Sequence, residues 1–132
     1  YKVTGVQTCA LPIYPHKMFR RPEDTLLYRD IRARTPGYAR RMLTKLFPAG
    51  EPFVITRNRF PYINAPARHM LFWIHPGVAH FYSPIRVRSI VEALYPGAKA
   101  YGMFMNDPSV QSVGAIPHYH FFTRTHRRFS LF

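Results

Sequence analysis

Hydrophobic positions along this chain follow two periods. Between residues 84 and 97, Val87, Ile90, Val91 and Leu94 recur at i, i+3, i+4 and i+7, the stripe of a helix with one buried face. Ser83-Pro84 starts that helix and Pro96-Gly97 stops it. Tyr38, Met42, Leu43 and Leu46 repeat at helical spacing. Thr35 reads as their N-cap, Pro36 as the first residue and Pro48-Ala49-Gly50 as the stop. Arg40, Arg41 and Lys45 read as the solvated face of that helix. Pro22-Glu23-Asp24 opens an earlier helix, with Leu26, Leu27 and Ile31 as a partial stripe.

Elsewhere the period is two, or the apolar run is unbroken. Phe53 to Thr56 is a short strand, and residues 57–62 are a turn or bulged segment. His69 to His75 is an apolar run suited to a central strand, with His69, Leu71, Trp73 and His75 on one face. Tyr101 to Met105 is a further strand, closed by the turn signal Asn106-Asp107-Pro108. The last strand follows Ile116-Pro117. It puts His118, His120, Phe122 and Arg124 on one side and Tyr119, Phe121 and Thr123 on the other. The expected order is α-α-β-β-α-β-β. The expected class is α+β (or α/β), with one mainly antiparallel sheet of about four strands and helices on one face.

The chain has 132 residues, enough for one domain with a core. Apolar runs are far shorter than the ~20 residues of a membrane helix, so no membrane span is expected. The single cysteine, Cys9, excludes an intramolecular disulfide, and a cytoplasmic setting is expected. Val3 to Ile13 reads like the translation of a sequencing adapter and is left out of fold reasoning. The expected division is a non-native leader at 1–13, one globular domain at 14–125 and a tail at 126–132. The formal net charge of +13 admits nucleic-acid binding. That partner is not favoured, because the basic residues are spread along the chain and no RNA-binding aromatic motif accompanies them.

Candidate chemistry lies in the histidines. His118 and His120 project the same way from one strand, within about 7 Å. His69 joins them if its strand is adjacent and in register. The expected site is a partly exposed, His-bearing cleft that binds or converts an unidentified small molecule, with His120, His118 and His69 as the catalytic candidates. Asn58 offers an amide at a turn, and Trp73 shares the face of His69. No metal is expected, since no third ligand has motif spacing and no cysteine partners the pair. No P-loop or G-x-G-x-x-G is present, and no cofactor is expected. Six acidic residues in the whole chain argue against a two-carboxylate hydrolase. Ser109 and Ser112 lack the G-x-S-x-G context of a serine nucleophile.

Three blocks carry a resemblance. They are residues 57–62, then His69 to Trp73, then residues 106–113 leading to His118-Tyr119-His120. Together, over roughly residues 35–124, they resemble the largely fungal N-acetylglucosamine-induced protein family. Its pattern is N-x-x-P-Y, then H-x-x-x-W, then an S-V element before H-x-H. No reaction is attached to that family. The resemblance implies that Asn58, Pro61, Tyr62, His69, Trp73, His118 and His120 are its important positions. A looser likeness is to the histidine-triad nucleotide hydrolases and transferases, whose H-x-H-x-H strand offers a nucleophilic middle histidine to phosphate. His118 and His120 match its first two positions, and Phe122 stands at the third. That likeness implies His120 as the nucleophile and a phosphate-bearing ligand, which Arg57, Arg59 and Arg124 are suited to hold.

Overall fold

The computed structural model describes residues 20–63, 65, 67–105 and 116–127. The expected leader, Cys9, the turn at 106–108, Ser109, Ser112 and the end of the expected tail lie outside these residues. Helix α1 spans Pro22–Arg34 and α2 spans Tyr38–Leu46. Strands β1 (Phe53–Arg57) and β2 (Arg68–Ile74) follow. A 3₁₀ segment, Pro76–Phe81, leads into α3 (Pro84–Leu94). A second 3₁₀ segment, Ala98–Tyr101, precedes β3 (Met103–Phe104) and β4 (His118–Thr123). The strands form one antiparallel sheet in the order β1-β2-β4-β3, so the fold is α+β. Among the described residues, no helix is long and apolar enough to cross a membrane.

Register divides the sheet into two faces. Pairing Phe72 with Tyr119 and Met70 with Phe121 puts these residues, with Ile74 and Met103, on one face. Val87 and Val91 of α3 pack there, with Ile90 and Leu94 at the margin. The Ser83 hydroxyl accepts from the Arg86 N–H and caps α3, and Pro84 occupies its first turn.

The other face is also covered, contrary to an arrangement with helices on one side only. Leu71 and Trp73 of β2 meet Phe47, Leu46, Leu43, Met42 and Tyr38 of the α2 region. The physical reason is that β2 is apolar on both faces, so each face needs its own helical cover.

The α1–α2 junction differs from a Thr35 cap followed by Pro36. Thr35 closes α1, and its hydroxyl donates back to the Ile31 carbonyl (2.7 Å). Gly37 then turns the chain with φ +62°, a left-handed conformation that glycine adopts without a side-chain clash, and α2 starts at Tyr38. In α1 the inward residues are Tyr28 and Ile31, while Leu26 and Leu27 face outward. Tyr28 is held by ring contacts with Tyr38 and Phe60, an aromatic anchor that outcompetes the two leucines for the covered side.

Candidate functional site

The site forms where the second face of the sheet meets α1 and α2. Leu71 pairs with His120, Trp73 with His118, and His69 with Phe122. The antiparallel register therefore sets His69 diagonally beside His120 on one face. Their rings touch, with His69 Nε2 2.7 Å from His120 Nδ1. Exposure is 2% for His69, 4% for His118 and 2% for His120, so the expected partly exposed cleft residues are in fact buried.

The direction of hydrogen bonding in this group is fixed from the backbone. The Tyr62 N–H donates to His69 Nδ1 (3.2 Å). Asn58 lies against the same ring. Its Oδ1 accepts from the Phe60 N–H (2.9 Å), which turns Nδ2 toward the His69 ring, 3.3 Å from both Nδ1 and Nε2. A backbone N–H can only donate, so His69 Nδ1 carries a lone pair and its proton sits on Nε2. His69 Nε2–H then donates to His120 Nδ1, which leaves the His120 proton on Nε2. His118 has the opposite arrangement. Its Nδ1–H donates to the Ile116 carbonyl (2.8 Å), so its lone pair is at Nε2.

All three rings are held neutral. Burial lowers His69 to about 3, helped by the positive charge of Arg20 and by His118. Burial likewise lowers His118, against the bond to the Ile116 carbonyl, which favours its charged form. His120 is pushed well below the ordinary value by burial, and further by His69, His118 and Arg20. Aromatic rings frame the group. Phe104 stacks on His120 at 4.8 Å and 3°, Tyr62 lies nearly parallel to it at 5.9 Å, and Trp73 lies 4.5 Å from His118. Trp73 itself is oriented by donating Nε1–H to the Thr56 hydroxyl (2.9 Å).

His118 and His120 line a cleft of about 280 Å³. Its opposite wall includes Tyr28 and Ile31 of α1 and Tyr38, Met42 and Lys45 of α2. Burial, then the neighbouring Tyr28, raises the Tyr38 phenol, which stays neutral. Four cations line the space: half-buried Arg20 and exposed Lys45, Arg57 and Arg59. Among the described lining residues there is no carboxylate. Arg20 is fixed by donating Nε–H to the Phe60 carbonyl (2.7 Å), with its guanidinium over the Tyr62 ring. Among the described residues, no group of three or more His, Cys, Asp or Glu is arranged to hold a metal ion. His69 and His120 spend ring nitrogens on each other.

No family model and no curated protein matches this chain. A solved structure, the crystal structure of HTC1, is similar with a TM-score of 0.54. The two are 22% identical, over 82% of this chain and 76% of the other. At that identity the likeness speaks for the shared fold.

Of the residues singled out from the sequence, Asn58, Trp73, Arg57, His118 and His120 line the cleft. His69 and Tyr62 stand behind His120 and hold it by hydrogen bond and ring contact. Arg124 is not brought in. β4 ends at Thr123, whose hydroxyl accepts from the Thr125 N–H and turns the chain. Arg124 is left exposed with its guanidinium 6.0 Å from the Tyr101 ring centroid. His75 follows the end of β2, and its Nδ1 accepts from the Gly77 N–H (3.0 Å). Lys45, read as solvated, belongs to the cleft. Its spacing from Tyr38 and Met42 was the available signal, because i, i+4 and i+7 share one helix face. Arg20 and Phe104 had no such signal, since one precedes α1 and the other sits on a two-residue strand.

Proposed function

We propose that this protein binds a compact anion carrying a flat apolar part, in the cleft between α1–α2 and the histidine face of the sheet. The observation that carries this reading is the composition of the lining: four cations, aromatic and aliphatic walls, neutral imidazoles and no carboxylate among the described residues. Neutral histidines supply hydrogen bonds without adding charge, so net attraction for an anion comes from the arginines and the lysine. A volume of about 280 Å³ suits a small molecule. Of the positions through which the chain resembles the N-acetylglucosamine-induced proteins, Asn58, Trp73, His118 and His120 line this space and Tyr62 and His69 brace it, which supports the same reading.

Thermal unfolding with added ligands tests it. Phenyl phosphate should raise the melting temperature in proportion to the logarithm of its concentration, and uncharged benzyl alcohol should not. Lys45→Glu with Arg59→Glu, both at exposed positions, should leave the unliganded melt unchanged and abolish the shift. An equal shift with benzyl alcohol, or a shift that survives the charge reversals, sinks the proposal. A single-stranded oligonucleotide that outcompetes phenyl phosphate and binds less tightly as salt rises would return the charge to nucleic-acid binding.

A second reading is attack on phosphorus by a histidine. What favours it is the Nε2 lone pair of His118, a neutral imidazole beside cations. Hydrogen-bond polarity transfers the role from His120 to His118. A labelled nucleotide panel decides. Label or turnover lost in His118→Gln supports the reading, and none in the unaltered protein ends it.

A further inference from the structure

The histidines of the cleft carry opposite hydrogen-bonding polarity, and this restricts the ligand beyond its charge. The chain Tyr62 N–H to His69 Nδ1, then His69 Nε2–H to His120 Nδ1, runs in one direction only. It starts at a backbone amide, which has no lone pair to offer. Reversing it would let His120 Nδ1–H donate to His69 Nε2, but it would set a His69 Nδ1–H against the Tyr62 N–H. The cost of that buried donor-against-donor contact holds the tautomers. His118 is set the other way by the Ile116 carbonyl, which can only accept. Its ring lines the cleft beside Trp73. Among the described residues, its Nε2 takes no hydrogen bond.

We propose that His118 Nε2 is the specificity-determining acceptor of the cleft, and that the ligand is an anion which also bears a hydroxyl or N–H group donated to this nitrogen. The proposal rests on the anion-cleft reading above. The cations would fix the anionic end and the aromatic walls the flat part. His118 then selects for a donor, because its ring is buried while its free nitrogen opens on the cleft, where a ligand that satisfies it displaces water. Asn58 and the Tyr62 backbone are positioning groups. Both touch His69, and the Tyr62 N–H sets the polarity of the neighbouring pair, which leaves His118 as the acceptor among the three.

Two measurements test this. The first needs no ligand and no variant. In protein labelled with ¹⁵N-histidine, His118 should show the Nδ1–H tautomer, and His69 and His120 the Nε2–H tautomer. An Nε2–H tautomer at His118 overturns the proposal. The second compares phenyl phosphate with its 3-hydroxy and 4-hydroxy derivatives by calorimetry. At least one hydroxylated probe should bind about tenfold more tightly than phenyl phosphate. His118→Phe should remove that advantage while phenyl phosphate still binds, and His118→Gln, which keeps an acceptor, should retain part of it. If all three probes bind equally, the anion cleft stands and the role of His118 falls. If none binds, the anion reading itself is overturned, and the ligand half of this inference with it.

Discussion

His120 is 2% exposed and stacked on Phe104, and its Nδ1 is the acceptor for the His69 ring N–H. At the scale of the residue it is therefore core and site together. Replacing it with alanine leaves the His69 donor buried without an acceptor, which costs about 1–3 kcal/mol before any cavity is counted. His120→Ala should lose at least about 2 kcal/mol in urea denaturation. His120→Gln, whose amide oxygen can still accept, should recover much of that. A loss below about 1 kcal/mol for the alanine variant would mean that the His69–His120 bond is absent in solution. The sequence alone suggested a tolerant cleft residue here. Alternation along a strand gives the face but not the depth of cover, and the cover came from Phe104 and from the helices.

At the scale of the element, α3 followed from its stripe. Val87 and Val91 are 0% and 3% exposed, buried as the spacing implied, and they lie against Met70, Phe72 and Ile74. Leu94 is at the margin of that cluster, so Leu94→Ala should cost about 2 kcal/mol, the low end for such a change. Phe121 sits fully buried on β4, beneath Tyr95, and Phe121→Ala should cost about 3–5 kcal/mol. Chemical denaturation of both variants checks the order. If Leu94→Ala proves the more damaging, α3 packs more deeply than its marginal position indicates. Helix α2 was also legible as amphipathic, but its partner was not. Its stripe meets Leu71 and Trp73, residues equally compatible with a single-sided sheet until β2 is seen to be buried on both faces.

For the molecule as a whole, three buried neutral histidines make stability depend on pH. Each has a folded value below the ordinary 6.5. The unfolded chain takes up protons as pH falls below about 6.5, while the folded protein resists them. The unfolded state therefore binds more protons, and stability falls with falling pH. For His69 the slope is about 1.4 kcal/mol per pH unit between roughly 6 and its folded value of about 3. His118 and His120 add in the same direction. The melting temperature should be nearly flat from pH 7 to 8 and drop steeply below 6. The His120→Gln variant should show a shallower fall, having one histidine fewer. A flat profile down to pH 5 would mean that the rings are solvated.

The order of elements, the antiparallel α+β class, the shared face of His118 and His120 and the buried stripe of α3 were set by local pattern. A period of two or of 3.6 fixes which side chains share a face, whatever lies opposite. Tertiary structure decided the rest, because it depends on residues far apart in the chain. The β2–β4 register placed His69 on His120 and not one step away. The turn after β1 put the Tyr62 N–H on His69 Nδ1, and so chose which nitrogen of each ring holds the proton. The packing of α1 and α2 across the histidine face enclosed the cleft and brought Arg20 and Lys45 to it, while the end of β4 at Thr123 turned Arg124 away. Periodicity carries no information on such distances between segments, and the polarity of a hydrogen-bond chain exists only once its members meet.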